Sequence, residues 1–326
     1  MDADEDEVLP IWFLCCLSNP VGYRSRYALY ERFVEHVLLS LGGKLCVVEC
    51  VYGDGPHRGV PCPPFPLPPG ARSLHVPVRA CEGSVMWHKE NLLNIGFRAV
   101  READPEGSRY LCWIDADVEF LAGRAAVREI VRSLELRPVV QAFSSCLDLG
   151  PSGEVTKVDH GFVFSAEHGL PVAATARDHT TWHTGYAWAA RAEFLEATGG
   201  LFELCVLGSG DLLMAHAFVG MIPPNLQDEA GAWGRRAREA LRALGGGPSA
   251  APGYARLVIR HGFHGFKSDR GYDTRSSILR EHAFDASTDL FRNPWGVLEF
   301  RQEDPRVRAL AAAVLGYFRS RNEDVL

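Results

Sequence analysis

The stretch Arg109-Tyr-Leu-Cys-Trp-Ile-Asp-Ala-Asp-Val-Glu-Phe120 joins a short apolar run to a pair of acids. Residues 110–114 are long enough for one buried strand. Asp115 and Asp117 follow at spacing i, i+2, so in an extended chain both carboxylates point to the same side. Because two unpaired carboxylates would repel each other there, the pattern favours a bound Mg²⁺ or Mn²⁺. The spacing alone leaves an alternative open, in which one Asp caps the next helix and the other is solvated.

The composition is that of an ordinary globular chain. Its 326 residues are 47% hydrophobic and 23% charged, and the net charge of -7 argues against a general nucleic-acid-binding surface. The sequence contains no run of about 18 apolar residues that would predict a membrane span. The acidic start has the wrong sign for a secretory signal peptide, and we predict an acidic disordered tail over residues 1–8.

The cysteines indicate a reducing compartment. There are nine of them, an odd number, and none has the C-x-x-C spacing of a zinc site. Several lie inside apolar runs, where cysteine behaves as a small hydrophobic residue. We therefore predict reduced thiols and a cytoplasmic location.

Strand-like and helical patterns alternate through the first half of the chain. Residues 11–17 and 45–52 are apolar runs, and an amphipathic helical pattern begins at Arg24 between them. This β-α-β order implies parallel neighbouring strands. The alternation weakens in the second half, although further strands are predicted over 155–165 and 186–190.

We therefore predict an α/β fold with a mostly parallel central sheet flanked by helices and an irregular C-terminal half. A single domain is expected over residues 9–303. A C-terminal helix over residues 304–326 is expected to pack on it.

Polar residues follow the first predicted strands, at the edge where open parallel sheets bind ligands. Asn19 follows the first strand and Asp54 the second, so both are expected on one rim with Asp115 and Asp117. Glu49 or Asp54 would accept hydrogen bonds from a ribose or a base. Asp54 stands in Gly-Asp-Gly and is equally suited to a plain turn.

Three further residues are candidates for binding or catalysis. Lys89, on the helix before the two acids, would neutralise a diphosphate, unless it is an ordinary surface lysine. Asn94 belongs to the same polar segment and is grouped with Lys89 as a donor-binding residue. Asp211 follows Gly208-Ser-Gly, where glycines let a ligand approach the backbone. It suits a helix N-cap, and an ionised carboxylate there would also deprotonate a sugar hydroxyl.

Histidines and cations follow the last predicted strand, which extends over residues 256–260. An imidazole from His261 or His264 would complete a metal site with two carboxylates, although a lone histidine is more often structural. Lys267, Arg270 and Arg275 form a basic cluster within an acidic protein. Such a cluster suits a phosphate leaving group.

Four aromatic or imidazole side chains precede Asp211 in a short segment. Flat rings of this kind stack on sugars, which predicts an acceptor site, and core packing is the alternative. The four residues are Trp182, His183, Tyr186 and Trp188.

Taken in order, these segments resemble the GT-A-fold glycosyltransferases that use nucleotide sugars, in particular family 2. Asp115-Ala-Asp117 at a strand end, preceded by Asn94-Ile-Gly96, is similar to the donor side of such enzymes. Residues 185–191, 198–200 and 208–211 are similar to their acceptor side. The resemblance extends over about residues 10–300, and the D-x-D strand end is its most specific part.

The resemblance implies roles for individual residues. Asp115 and Asp117 would hold a Mn²⁺ or Mg²⁺ that bridges the donor diphosphate, with His264 as a third ligand. Lys267 would contact the diphosphate. Asp211 would be the catalytic base of an inverting enzyme, although it lacks the Glu-Asp pair of many family 2 members.

We therefore expect a metal-dependent glycosyltransferase of the hexosyltransferase type. Its donor would be a nucleoside diphosphate sugar, with UDP-sugars as the first candidates, and its acceptor a carbohydrate or glycoconjugate. One alternative is a sugar-nucleotide nucleotidyltransferase, which usually has a glycine-rich basic loop after the first strand. Residues 18–24 read Ser-Asn-Pro-Val-Gly-Tyr-Arg, with one glycine. The other alternative is an inactive sugar-binding scaffold, which would not need the acids together with the His/Lys cluster.

Overall fold

The computed structural model describes residues 10–55, 57, 70–172, 181–221, 228–247, 250–272 and 274–324. The acidic tail predicted over residues 1–8 lies outside them. The strands are β1 (Ile11–Ser18), β2 (Lys44–Tyr52), β3 (Arg72–Ala80), β4 (Tyr110–Ile114), β5 (Val118–Phe120), β6 (Val139–Gln141), β7 (Ser145–Leu149), β8 (Val155–Gly161), β9 (Trp182–His183), β10 (Ala187–Arg191), β11 (Gly253–Tyr254), β12 (Val258–His261), β13 (Leu290–Arg292) and β14 (Leu298–Phe300). The helices are α1 (Arg24–Glu35, continued by a π-helical turn His36–Ser40), α2 (Lys89–Ala103), α3 (Arg124–Leu136), α4 (Phe162–Glu167), α5 (Ala192–Thr198), α6 (Gly210–Phe218), α7 (Asp228–Gly245), α8 (Ser276–Glu281), α9 (Ala286–Asp289) and α10 (Pro305–Ser320).

The central sheet has the strand order β11-β6-β10-β4-β1-β2-β3. β1 pairs in parallel with β2 and β4, and β2 pairs in parallel with β3. β10 runs antiparallel to β4 and β6. Because helices cover both faces, the central strands are apolar along almost their whole length. The predicted α/β fold, with a mostly parallel sheet flanked by helices, is confirmed.

Successive residues of β1 face opposite sides of the sheet. Trp12 and Leu14 pack in the cluster formed with α2, α5, α6 and α7, whereas Ile11 and Phe13 pack with α1 and α3. Each large side chain removed from water in this way contributes about 1.5–3 kcal/mol. The two clusters hold β1 and β4 rigidly, so the strand ends are fixed supports for a site.

A second sheet, in the order β5-β12-β7-β8-β9, was not predicted. Its strands are too short for a clear alternating pattern, and their pairing joins distant parts of the chain. β12 pairs antiparallel with β5 and parallel with β7, which sets His261 opposite Val118 and Asp148. Since Val118 adjoins Asp117, this register brings Asp117, Asp148 and His261 to one place.

One local prediction was wrong, and several short elements were missed. The strand predicted over 155–165 ends at Gly161, and the next residues form α4, because their apolar side chains are buried as a helix among neighbours from both sheets. The hairpin β13–β14 and the short helices α8 and α9 were missed. The hairpin and α10 pack together over Val85 and Met86. Within the described ranges, no helix is both long and apolar enough to cross a bilayer.

Candidate active site

A cavity of about 440 Å³ opens beside the carboxyl ends of β1 and β4. This is the position at which open α/β sheets bind ligands, and the volume suits a small molecule. The sequence-predicted residues that line it are Asn19, Lys89, Asp115, Asp117, Trp182, His183, Tyr186, Asp211, His261, His264, Lys267, Arg270 and Arg275.

Two predicted donor-binding residues do not line the cavity. Glu49 is buried within β2, where its Oε2 lies 2.8 Å from Nε2 of His75. Asp54 is exposed in the turn that follows β2, as its Gly-Asp-Gly context allows. The structure therefore gives neither acid the ribose or base contact expected from the sequence.

Asn94 and Trp188 also lie away from the cavity wall. The Asn94 amide donates to the carbonyl of Leu201 at 2.9 Å, and its oxygen accepts from the Leu201 N–H at 2.7 Å. Trp188 is buried, stacks on Trp113 with ring centroids 6.4 Å apart, and donates to a backbone carbonyl. Both side chains have partners within the fold and lie outside the cavity, unlike the positions expected from the sequence.

Lys89 forms an ion pair with the first of the two acids. Its ammonium group contacts Oδ1 of Asp115, and the lysine side chain is 14% exposed. Burial opposes the charged ammonium, yet the carboxylates of Asp115 and Asp211 raise the pKa of Lys89 well above its usual value. Asp115 is thus already neutralised by a residue of α2.

Asp117 faces two histidines instead. Nε2 of His264 lies 2.9 Å and Nε2 of His261 lies 3.6 Å from Oδ2 of Asp117. Burial alone would raise the pKa of Asp117, but the two imidazoles hold it well below its usual range. Burial would lower the pKa of His261, whereas Asp117 and Asp148 raise it to about 9.

These three side chains fit a divalent cation. Asp117, His261 and His264 each offer one ligand atom within 4.8 Å of the others. Oδ1 of Asp117 is buried without a hydrogen-bond partner among the described residues. One carboxylate and two imidazole nitrogens form a donor set of the kind that holds a divalent transition metal. This set of candidate ligands differs from the predicted set of Asp115, Asp117 and His264. Asp115 is paired with Lys89, and His261 takes its place.

Asp211 lies in the first turn of α6. The N-cap is Ser209, so the N-cap expected at Asp211 was wrong by two positions. A carboxylate in a first turn is stabilised by the helix dipole. Thr184 Oγ1 lies 3.4 Å from Oδ2 of Asp211, and a Cβ added to Gly185 would come within 2.5 Å of that oxygen. Gly185 therefore makes room for this carboxylate at the cavity wall.

Two non-glycine residues of the wall have left-handed backbone conformations. Tyr186 has φ of 73° and Ser209 has φ of 72°. Such residues cost about 1–2 kcal/mol each and persist where the surroundings fix them. The Tyr186 hydroxyl donates to Asp148 Oδ1 at 2.8 Å, and Ser209 Oγ accepts from Arg275.

The predicted cations differ in their partners. Lys267 pairs with Asp148, so its charge is already compensated. Arg270 Nη2 lies 2.9 Å from His264 Nε2, and Arg275 donates to hydroxyl groups. In the part of the chain that the structure describes, neither arginine forms an ion pair with a carboxylate. Their charges are directed at the cavity, where they suit an anion.

The predicted stacking residues line the cavity but also contact one another. Trp182 is 1% exposed and packs edge-to-face on Phe162 at 5.2 Å. His183 stacks on Tyr186, with ring centroids 3.8 Å apart and planes 6° from parallel. These rings form a rigid wall, and the structure does not present a broad free face of Tyr186 or Trp182 to a sugar.

Several lining or supporting residues were missed. Glu90 is 2% exposed, and burial raises its pKa to about 8. A Cβ on Gly210 would lie 2.5 Å from Glu90 Oε1, so this glycine lets α6 approach α2. The Gly-Ser-Gly sequence was the available signal for that approach. Asp148 and Glu323, which lie beside the two histidines, carry no such signal, because only tertiary pairing brings them there.

No protein-family model and no curated protein matches the chain. Among solved structures, S. aureus TarS is similar over 83% of this chain at 8% identity and a TM-score of 0.35, and this chain spans 39% of TarS. TarS 1–349 in complex with UDP is similar over 85% of this chain and 73% of its own, at 9% identity and a TM-score of 0.35. A protein described as a nucleotide-diphospho-sugar transferase from Desulfovibrio desulfuricans G20 is similar over 95% and 97% of the two chains, at 11% identity and a TM-score of 0.30. These values are too low to assign a function, which must come from the chemistry of the cavity.

Proposed function

We propose that this protein is a metal-dependent glycosyltransferase that moves a sugar from a nucleoside diphosphate sugar to an acceptor hydroxyl with inversion. The observation that carries the proposal is one cavity wall that combines a metal-type donor set, two arginines and a separate carboxylate. A transfer of this kind needs each of these parts. The metal-type donor set is Asp117, His261 and His264, the two arginines are Arg270 and Arg275, and the separate carboxylate is that of Asp211.

Asp117, His261 and His264 would hold the cation. When bound, a divalent ion supplies Lewis-acid stabilisation of charge that develops on the leaving diphosphate. The two imidazole ligands favour Mn²⁺ over Mg²⁺, which prefers oxygen. Asp115 is assigned to orient Lys89, since the two side chains form an ion pair.

Arg270 and Arg275 are the proposed diphosphate contacts. Guanidinium groups form paired charge-assisted hydrogen bonds with phosphate oxygens. Arg275 is held by hydrogen bonds to Ser209 and to the Tyr317 hydroxyl at 3.2 Å, so its position is fixed before a ligand arrives. Asn19, whose side chain fixes the turn after β1 through Tyr23, supports the same side of the cavity.

Asp211 is the proposed catalytic base. Its carboxylate lies at the cavity wall near Thr184 and would accept the proton of the acceptor hydroxyl. The acceptor oxygen then forms a bond to the anomeric carbon while the bond from that carbon to the diphosphate oxygen breaks, which inverts the centre. The wall made by His183 and Tyr186 would position a carbohydrate or glycoconjugate acceptor.

The direct test is incubation with a panel of sugar nucleotides and Mn²⁺, beginning with UDP-sugars, while nucleoside diphosphate release is measured. We expect release that requires metal and rises with a suitable acceptor. Asp211→Asn should lower turnover by about 10²- to 10⁴-fold while donor binding is retained. Asp289→Asn, at a buried carboxylate that pairs with Arg306 outside the cavity wall, is the matched control.

Two outcomes would overturn the proposal. Pyrophosphate formation from a sugar 1-phosphate and a nucleoside triphosphate, without sugar transfer, would show a nucleotidyltransferase. Full turnover in Asp211→Asn would show that this residue is not the base.

A further inference from the structure

Both histidines of the candidate metal site have a second buried carboxylate at their other ring nitrogen. For His261, Nε2 lies 3.6 Å from Asp117 Oδ2, and Nδ1 lies 3.0 Å from Asp148 Oδ1. Because Asp148 is an acceptor, the Nδ1 atom of His261 carries the hydrogen and donates it. The ring is thereby turned so that Nε2 faces Asp117.

His264 repeats this arrangement with a different partner. Its Nε2 lies 2.9 Å from Asp117 Oδ2, and its Nδ1 lies 3.8 Å from Glu323 Oε2. Glu323 lies beyond the end of α10, far along the chain from the strand end that carries His264. The rings of His261, at the end of β12, and His264, just after it, thus direct Nε2 at one carboxylate oxygen and Nδ1 at separate carboxylates.

Asp148 is itself fixed. It accepts hydrogen bonds from the Tyr186 hydroxyl at 2.8 Å and from Lys267, and its side chain is 7% exposed. The carboxylate is therefore held in place as an acceptor beside His261.

Glu323 is fixed in the same way by arginines. Arg26 Nη2 donates to its Oε1 at 2.8 Å, and Arg321 Nε lies 2.8 Å from the same oxygen. A Cβ added to Gly265 would lie 3.1 Å from the Cα of Glu323, so the loop after His264 packs directly on this part of the backbone. The side chain of Glu323 is 1% exposed.

Ordinary structural ion pairs are the competing explanation for both contacts. Structural ion pairs give no reason for the Nε2 atoms of His261 and His264 to converge on one oxygen of Asp117. They also give no reason for Oδ1 of Asp117 to be buried without a hydrogen-bond partner among the described residues. Metal-binding histidines commonly donate their other N–H to a carboxylate, which fixes the tautomer and the ring orientation. The observed geometry has this form at His261, and Glu323 lies on the corresponding side of His264 at 3.8 Å.

We propose that Asp148 and Glu323 are positioning residues of the metal centre, each holding one histidine as the Nδ1–H tautomer with its Nε2 lone pair directed at the cation. This inference rests on the metal site of the proposed function. It adds that β7 and the segment after α10 determine how tightly the ion is held, although neither contributes a ligand. The residues act through His261 and His264 and touch no substrate.

The test measures Mn²⁺ binding alone, by calorimetry and by electron paramagnetic resonance, at neutral pH without nucleotide. Asp148→Asn and Glu323→Gln should each weaken Mn²⁺ binding by about 10- to 100-fold. Asp289→Asn removes a comparably buried, ion-paired carboxylate elsewhere and should leave the Mn²⁺ affinity unchanged. Thermal unfolding of each variant separates lost stability from lost affinity.

A spectroscopic readout tests the tautomers directly. In protein with ¹⁵N-labelled histidine, Mg²⁺- or Zn²⁺-saturated wild type should show the Nδ1–H form for His261 and His264. Asp148→Asn should alter only the His261 signals and Glu323→Gln only those of His264. If one variant does not fold, the other still tests the same claim on its own ring.

The outcomes separate the two proposals. If wild-type protein binds no Mn²⁺, the metal site of the proposed function is wrong. If wild type binds Mn²⁺ and both variants bind it within about threefold of wild type, the positioning role is wrong and the metal site stands.

Discussion

The ammonium group of Lys89 is paired with the carboxylate of Asp115, while Asp117, two residues on, faces imidazoles. The two acids of one strand end therefore have different partners. Lys89 begins α2 and His264 follows β12, so each acid is held by a different part of the chain. Their contributions to metal binding should differ accordingly.

Asp117→Asn and Asp115→Asn should differ in Mn²⁺ affinity. Loss of the proposed ligand in Asp117→Asn should weaken binding by about 100-fold or more, since even supporting residues change it by 10- to 100-fold. Asp115→Asn should leave affinity for the metal alone within about threefold, because its partner is a lysine. Calorimetric titration with Mn²⁺ checks both, and equal losses would show that both acids are ligands.

Gly185→Ala should lower turnover without unfolding the protein. The new Cβ would lie 2.5 Å from Asp211 Oδ2 and 2.9 Å from His183 Cε1, so the carboxylate must move. A displacement of this size at a catalytic group costs about 10²-fold in rate. Steady-state kinetics should show the loss in kcat, with donor affinity preserved.

Gly316→Ala is the control for that substitution. A Cβ at Gly316, in α10, meets no atom within 4 Å, and alanine in a helix is favoured by about 1 kcal/mol. This variant should keep its activity and become slightly more stable. Wild-type turnover in Gly185→Ala would argue against Asp211 as the base.

Arg270→Gln should strengthen binding of Mn²⁺ alone. The Arg270 guanidinium lies 2.9 Å from His264 Nε2, the nitrogen assigned to the cation, and two positive groups compete there. Removing the guanidinium should increase Mn²⁺ affinity by about three- to tenfold. Donor binding in the presence of metal should weaken, since an arginine to the diphosphate is lost.

Arg275→Gln provides the matched comparison. Arg275 contacts Ser209 and Tyr317 and does not touch either histidine, so its loss should weaken donor binding only. If Arg270→Gln and Arg275→Gln changed Mn²⁺ affinity equally, competition at His264 would be excluded.

His88 should contribute to acid sensitivity. It is 2% exposed, its Nε2–H donates to the Leu298 carbonyl at 2.8 Å, and its Nδ1 accepts from the Tyr52 hydroxyl at 2.8 Å. Burial lowers the pKa of His88 from 6.5 to about 4, so its stabilising effect is present above pH 6.5 and is lost as the pH falls through 4. The free energy of unfolding lost in this window is about 3 kcal/mol.

His88→Gln keeps one hydrogen-bond donor and one acceptor but does not titrate. As the pH falls from 6.5 to 4, the free energy of unfolding of this variant should therefore fall by about 3 kcal/mol less than that of the wild type. Urea unfolding at a series of pH values measures the difference. His168→Gln, at an exposed histidine, is the control. Identical pH dependence in wild type and His88→Gln would refute the prediction.

The apolar strands and the rim of the central sheet were predictable, because they depend on local patterns. The segment 110–117 could be read as a strand ending in acids from its own residues. The rule that ligands bind at the carboxyl ends of parallel strands predicted one rim with Asn19, Asp115 and Asp117, and all three line the cavity.

The second sheet and the partners of the acids were not predictable in this way. The pairing of β12 with β5 and β7 joins segments more than a hundred residues apart, and nothing in the short strands specifies it. Whether Asp115 meets a metal or Lys89 depends on a side-chain conformation, not on spacing. For the same reason Asn94 and Trp188, which match the expected segments, are used in packing.

Glu323 bonds to Arg26 across 297 residues, and Asp324 accepts from the backbone N–H groups of Arg24 and Ser25 that begin α1. A ribosome adds residues in order, so the start of α1 emerges long before the residues that complete it. During synthesis, this wall of the cavity remains unfinished until residue 324 has left the exit tunnel. Binding competence then depends on contacts between residues separated by 297 positions, which can form only after the intervening chain has been made.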